Sequence, residues 1–93
     1  MSVVNVSEIW YTVAREVSEE EANASVKLLR DLRIQFEDAD WTLTQEAARF
    51  KSLNKMSYAD CYAAALAKFK KADLVTGDTE FKPLDGEIKI SWL

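Results

Sequence analysis

Lys55-Met-Ser-Tyr-Ala-Asp-Cys-Tyr-Ala-Ala-Ala-Leu-Ala-Lys68, followed by Ala72-Asp-Leu-Val-Thr-Gly-Asp78, is the stretch whose reading decides the fold. Its first half predicts a helix with Ser57 as N-cap and Asp60 three residues on, the spacing of a capping box. Ala63, Ala64, Ala65 and Ala67 add strong helix propensity and a surface that other backbone can approach closely. The second half is a short apolar run, Leu74-Val75-Thr76, which predicts a strand stopping at Gly77-Asp78. A strand of this kind delivers a carboxylate to its carboxyl end, the edge where open α/β sheets carry their ligand sites. One acid at a helix start and one at a strand end are the seed of a site.

Working outward, 93 residues predict a single domain, and a hydrophobic content of 48% with three Trp suffices for a core. No apolar run approaches the ~20 residues of a membrane span, and no signal peptide is visible, because Met1-Ser-Val-Val-Asn5 is soon followed by Glu8. A single cysteine excludes an internal disulfide, and the absence of histidine beside it excludes an ordinary zinc site. Lack of histidine also removes the usual general base and the nucleophile systems that depend on it. Chemistry here must run on carboxylates, hydroxyls, Lys, Arg or a hard metal ion. The net charge of −4 argues against holding nucleic acid by bulk basicity. It leaves room for a nuclease, because a divalent cation in an acidic pocket inverts the local sign.

In chain order, Met1 to Val6 is β-branched and predicts a strand that ends at Asn5 or Val6. Asn5-Val-Ser-Glu8 then reads as a capping box opening a helix to about Glu16, with Ile9, Trp10, Val13 and Val17 as its apolar stripe. Ser18-Glu-Glu-Glu21 predicts the next helix, with Ala22, Val26, Leu29 and Leu32 at helical spacing and Arg30 and Arg33 in its last turn. Alternation over Arg33–Asp38 predicts a strand with Ile34 and Phe36 on one face. Thr42-Leu-Thr-Gln45 predicts a helix through about Lys51, and Ser52–Lys55 the loop before the Ser57 helix. Thr79 to Leu84 reads as a turn or short helical piece broken by Pro83 and Gly86. Glu87–Leu93 alternates as an edge strand. The order is strand, helix, helix, strand, helix, helix, strand, strand, which argues α/β with a largely parallel sheet and helices on its faces.

Glu8, Asp60 and Asp78 share one positional property: each lies just past a predicted strand or at the start of a predicted helix, on one edge of the sheet. Clustered carboxylates repel one another unless a cation sits among them. Oxygen donors without His or Cys select Mg²⁺ or Mn²⁺, and such an ion supports phosphodiester hydrolysis without a histidine. Each acid alone also has an ordinary structural reading, Glu8 and Asp60 as capping-box residues and Asp78 as turn chemistry. Composition and spacing stop at a small acidic α/β domain. Cys61 reads as a small buried side chain, and Trp10, Tyr11, Tyr58, Tyr62 and Phe69 read as core. Lys68, Lys70 and Lys71 close a helix and suit its dipole. Arg15, Arg49 and Lys51 are candidate phosphate contacts.

Ser57-Tyr-Ala-Asp-Cys-Tyr-Ala-Ala-Ala-Leu-Ala67 and Leu74-Val-Thr-Gly-Asp-Thr-Glu-Phe81 resemble the PIN domain, notably its VapC-type toxin branch. The family pattern is Ser-x-x-Asp with an Ala-rich helix, then a strand ending Thr-Gly-Asp-x-x-Phe. Ala47-Ala-Arg-Phe-Lys51 is similar to the Ala-Ala-Arg-rich helix ahead of it, and Asn5-Val-Ser-Glu8 to the segment bearing the family's second acid. The resemblance covers nearly the whole chain and implies a three-layer PIN-like fold, a largely parallel sheet with helices on both faces. It implies a Mg²⁺- or Mn²⁺-dependent endoribonuclease with Glu8, Asp60 and Asp78 as catalytic metal ligands and Thr76 as a supporting hydroxyl. An RNA substrate, a homodimer, a neutralising antitoxin protein and a cytoplasmic location go with it. One departure stands out: PIN domains open with a central strand bearing a first catalytic Asp, and here the chain begins where the second strand should be. The expectation is an N-terminally truncated, incomplete single domain over 1–93, with an open edge beside the Thr76 strand. A fragment or mis-set start, a split protein completed by another chain, and a rearranged dimer would each account for it. Two further readings stand beside the toxin: a non-catalytic PIN-like interaction module, and an RNA-processing PIN nuclease without an antitoxin.

Overall fold

The computed structural model describes residues 1–93 and divides into two compact units, Met1–Ala39 and Asp40–Leu93. The chain is mixed α/β, 63% helical, with two parallel strands. No helix is long and apolar enough to cross a membrane.

The first unit is a helical hairpin of α1 (Val3–Glu16) and α2 (Glu19–Asp31). The expected strand over Met1–Val6 is instead the start of α1, and its cap is Ser2 rather than Asn5. The Asn5 N–H donates to Ser2 Oγ at 3.2 Å while the Ser2 hydroxyl donates to Asn5 Oδ1 at 2.6 Å. This local exchange, together with burial of Val6, outweighs the modest helix aversion of Val3, Val4 and Val6. Ser18 caps α2 as expected, accepting from the Glu21 N–H at 3.0 Å. Trp10 Nε1–H donates to Asn23 Oδ1 at 2.9 Å and ties the two helices. The expected strand over Arg33–Asp38 reduces to one parallel bridge, Ser2 with Glu37, closed by Val3 N–H to Glu37 O and Glu37 N–H to Met1 O. A strand needs a partner of matching length, and α1 leaves only Met1–Ser2 extended. Arg33 turns the chain in the left-handed region with φ 61° rather than closing the helix.

The second unit holds α3 (Trp41–Leu53), α4 (Tyr58–Lys70), β1 (Leu74–Thr76), a 3₁₀ helix (Thr79–Leu84) and β2 (Ile90–Trp92). Asp40, not Thr42, caps α3 by accepting from the Leu43 N–H at 2.9 Å. Leu43, Ala47 and Phe50 recur along α3, and Cys61, Ala64 and Ala65 along α4; all are buried, with Met56, Phe81, Leu84 and Ile88 completing the core. Thr44 Oγ1 and the Tyr62 hydroxyl bond across the two helices at 2.7 Å. Tyr62 is buried, but Tyr11, Tyr58 and Phe69 are exposed, against the expectation of core aromatics. Pro83 sits inside the 3₁₀ helix instead of breaking it, and Gly86 takes the turn that follows at φ 94°.

β1 and β2 pair in parallel, with Leu74 opposite Ile90, Val75 opposite Ser91 and Thr76 opposite Trp92. The expected Glu87–Leu93 strand thus shortens to Ile90–Trp92. α4 precedes β1 by a short turn, at which Lys71 adopts φ 51°. The helix therefore runs back along the strand. Its N-terminus and the carboxyl end of β1 come to the same edge.

Candidate metal centre

Ser57 extends at the entry to α4, and its Oγ accepts from the Asp60 N–H at 3.2 Å. This places Asp60 in the first helical turn, where the macrodipole favours a carboxylate. At the end of β1, Thr76 Oγ1 accepts from the Asp78 N–H at 3.0 Å and folds the Gly77-Asp78 turn. Asp78 Oδ1 in turn accepts from the Glu80 N–H at 2.9 Å and caps the 3₁₀ helix. Two successive side-chain-to-backbone bonds therefore carry the chain from Thr76 to Glu80.

One carboxylate oxygen from each of Asp60, Asp78 and Glu80 lies within 4.8 Å of the others. Asp60 is half-buried and the other two are exposed. None of the three takes part in an ion pair. The donor set fits a hard divalent ion. Around Mg²⁺ at about 2.0–2.1 Å, cis oxygens lie about 2.9 Å apart and trans oxygens about 4.2 Å, so holding the ion requires these side chains to close by up to about 2 Å.

The structure brings together Asp60 and Asp78 of the acids named from sequence. Glu8 lies in the first unit, half-buried on the second turn of α1; the cluster is built wholly from the second unit. Thr76 lies directly behind Asp78 as described. Glu80 joins them from outside the set of acids that the sequence points to. Its signal was there, an Asp N-cap with a carboxylate two residues later in Asp78-Thr-Glu80, but it resembles any exposed turn.

The remaining candidates are engaged elsewhere. Arg49 donates to Glu46 at 2.8 and 3.1 Å and also pairs with Glu87. Lys68 pairs with Glu46 at 2.7 Å and lies 3.6 Å from Glu87. The Arg49 guanidinium, then the Lys68 ammonium, hold the Glu46 carboxyl below the ordinary carboxylate value of 4.5, against the opposing effect of burial. Arg15 lies over the Tyr11 ring, 5.4 Å from its centroid. Cys61 is buried, and burial pushes its thiol above 9.0, as befits an inert core side chain.

The profile of the PIN domain family matches residues 1–87. The chain belongs to the PIN domain family, whose members are generally metal-dependent nucleases. No curated protein and no solved structure matches it.

Proposed function

We propose that the chain is a Mg²⁺- or Mn²⁺-dependent endoribonuclease of the PIN and VapC toxin type. The observation that carries this is the trio of unneutralised carboxylates where the α4 N-terminus meets the carboxyl end of β1, in a chain of this family. Asp60 and Asp78 would hold the cation, and Glu80 would add a third donor. Glu8, on α1 of the first unit, carries over as a metal ligand by its likeness to the family's second acidic segment alone. Thr76 orients the turn that presents Asp78 and Glu80. A divalent ion held there would supply Lewis-acid chemistry, polarising a phosphate oxygen and lowering the pKa of water. The carboxylates fix where the phosphodiester settles; RNA is the substrate, and without histidine no side chain of the chain is an ordinary base at that pH.

The family match runs through both units, which supports one domain over 1–93. β1 pairs with β2 alone, and its unpaired second edge supports completion of the sheet by a further strand toward the three-layer arrangement, while Val75, 62% exposed, marks an uncovered face. A homodimer, an antitoxin protein and a cytoplasmic setting follow from the VapC likeness. That same open sheet favours the alternative of a non-catalytic interaction module, since parallel sheets are ordinarily covered on both faces.

Thermal melting in rising Mn²⁺, followed by RNA cleavage, tests the reading. Wild type gains stability by mass action and cleaves, while Asp60→Asn and Asp78→Asn do neither. Equal melting and equal cleavage in wild type and variants would sink the assignment and favour the interaction module.

A further inference from the structure

We infer that Lys51 is a positioning residue for Asp60, an inference that rests on the reading of the carboxylate trio as a cation site. Lys51 stands in the last turn of α3 and is in none of the ion pairs. Its ammonium instead donates to the main-chain carbonyl of Met56. Met56 is 2% exposed, so its side chain is anchored in the core while its carbonyl is held by a charge. The next residue is Ser57, the cap of α4, and three residues later comes Asp60.

The connection from α3 to α4 is thus pinned at each step. Asn54 Nδ2–H donates back to Phe50 O at 3.0 Å, Lys51 reaches forward to Met56 O, and Ser57 Oγ takes the Asp60 N–H. The middle bond crosses the loop and is charge-assisted, the stronger kind of hydrogen bond. Without it the Met56-Ser57 peptide has no partner on its carbonyl side, and the start of α4 is free to fray. Fraying there moves Asp60 relative to Asp78 and Glu80, which are held separately by β1 and the 3₁₀ helix.

The test compares wild type with Lys51→Met, Lys51→Gln, Lys51→Arg, Asp60→Asn and Lys68→Met, all well below their melting temperatures. Two readouts are taken: Mn²⁺ affinity by titration and amide hydrogen exchange at Asp60 and Cys61. Lys51→Met is expected to weaken Mn²⁺ binding about tenfold, the low end of the worth of one charged hydrogen bond. Exchange at Asp60 and Cys61 should quicken with it. Lys51→Arg restores both to within about twofold, and Lys68→Met lowers melting temperature without touching Mn²⁺ affinity. Should Lys51→Met fail to fold, Lys51→Gln, which is neutral and shorter, is read the same way. Unchanged Mn²⁺ affinity in Lys51→Met, with binding lost in Asp60→Asn, overturns the role of Lys51 and leaves the cation site standing. No Mn²⁺ binding in wild type overturns the cation site, and the role of Lys51 falls with it.

Discussion

Glu46 and Glu87 sit between Arg49 and Lys68, whereas Asp60, Asp78 and Glu80 face one another with no cation among them. Both groups belong to the second unit, the first built from the body of α3, the end of α4 and the segment before β2, the second from a helix start and a strand end. The first is balanced, two carboxylates against two cations, and it joins α3, α4 and the segment leading to β2. Its Glu46 side chain is only 15% exposed, so leaving it unpaired would cost free energy. The second group keeps its like charges together on exposed turns that local capping bonds hold in place. Beyond those local capping bonds, the three like charges gain nothing from one another's proximity. A cation held among them would turn that repulsion into attraction, and that is the physical difference between the two groups.

The largest effect expected from this contrast is on ligand-linked stability. At Mn²⁺ a hundredfold above its dissociation constant, wild type should gain about 2.7 kcal/mol. For a domain of this size that is roughly 10–20 °C in melting temperature. Asp78→Asn and Asp60→Asn should show none of it. If either variant kept the full shift, the trio would be no more than a set of caps.

Next in size is Glu46→Gln, which leaves Arg49 and Lys68 with one carboxylate fewer. A loss of about 1–2 kcal/mol is expected, at the low end for a charged bond because both cations are partly exposed to solvent. Chemical denaturation measures it, and the Mn²⁺ shift should remain. A variant that lost the Mn²⁺ shift as well would show that the two groups are coupled.

The same pairing predicts an acid limb. Because the folded Glu46 carboxyl titrates below 4.5, its contribution is complete above that value and is lost as pH falls through the lower folded value. Melting temperature followed downward from pH 6 should therefore drop less steeply for Glu46→Gln than for wild type. Identical slopes would remove Glu46 from the stabilising set. The smallest effect is that of Glu87→Gln: its side chain is 38% exposed, and about 0.5 kcal/mol is expected, readable as a slight shift of the denaturation midpoint.

Legibility of the sequence followed how local each signal was. Ser57, Ser18 and the Leu74–Thr76 run announce themselves within four residues, because capping and turn bonds are made by neighbours. Met1–Val6 misled because valine favours strands only when a partner strand exists, and the choice between Ser2 and Asn5 as cap decided the matter. Asp40 and Thr42 are likewise two candidate caps two residues apart, and the chain uses Asp40. Asp60 and Asp78 were legible as a pair through their motifs. Glu80 was not, since nothing in its immediate neighbours distinguishes it from Glu87, which the fold uses for pairing.

What the sequence determined by itself is the chemical repertoire and the local frame. With no histidine and one cysteine, any cation site must be made of oxygen, and the caps at Ser57 and Asp78 set where carboxylates appear along the chain. Which acids are neutralised and which are left facing one another was decided only in three dimensions. Packing α4 back along β1 brings Asp60 to Asp78 and Glu80 at one end, while farther along α4 Lys68 meets Glu46. Coulomb energy depends on distance through space, and sequence separation carries little of that information.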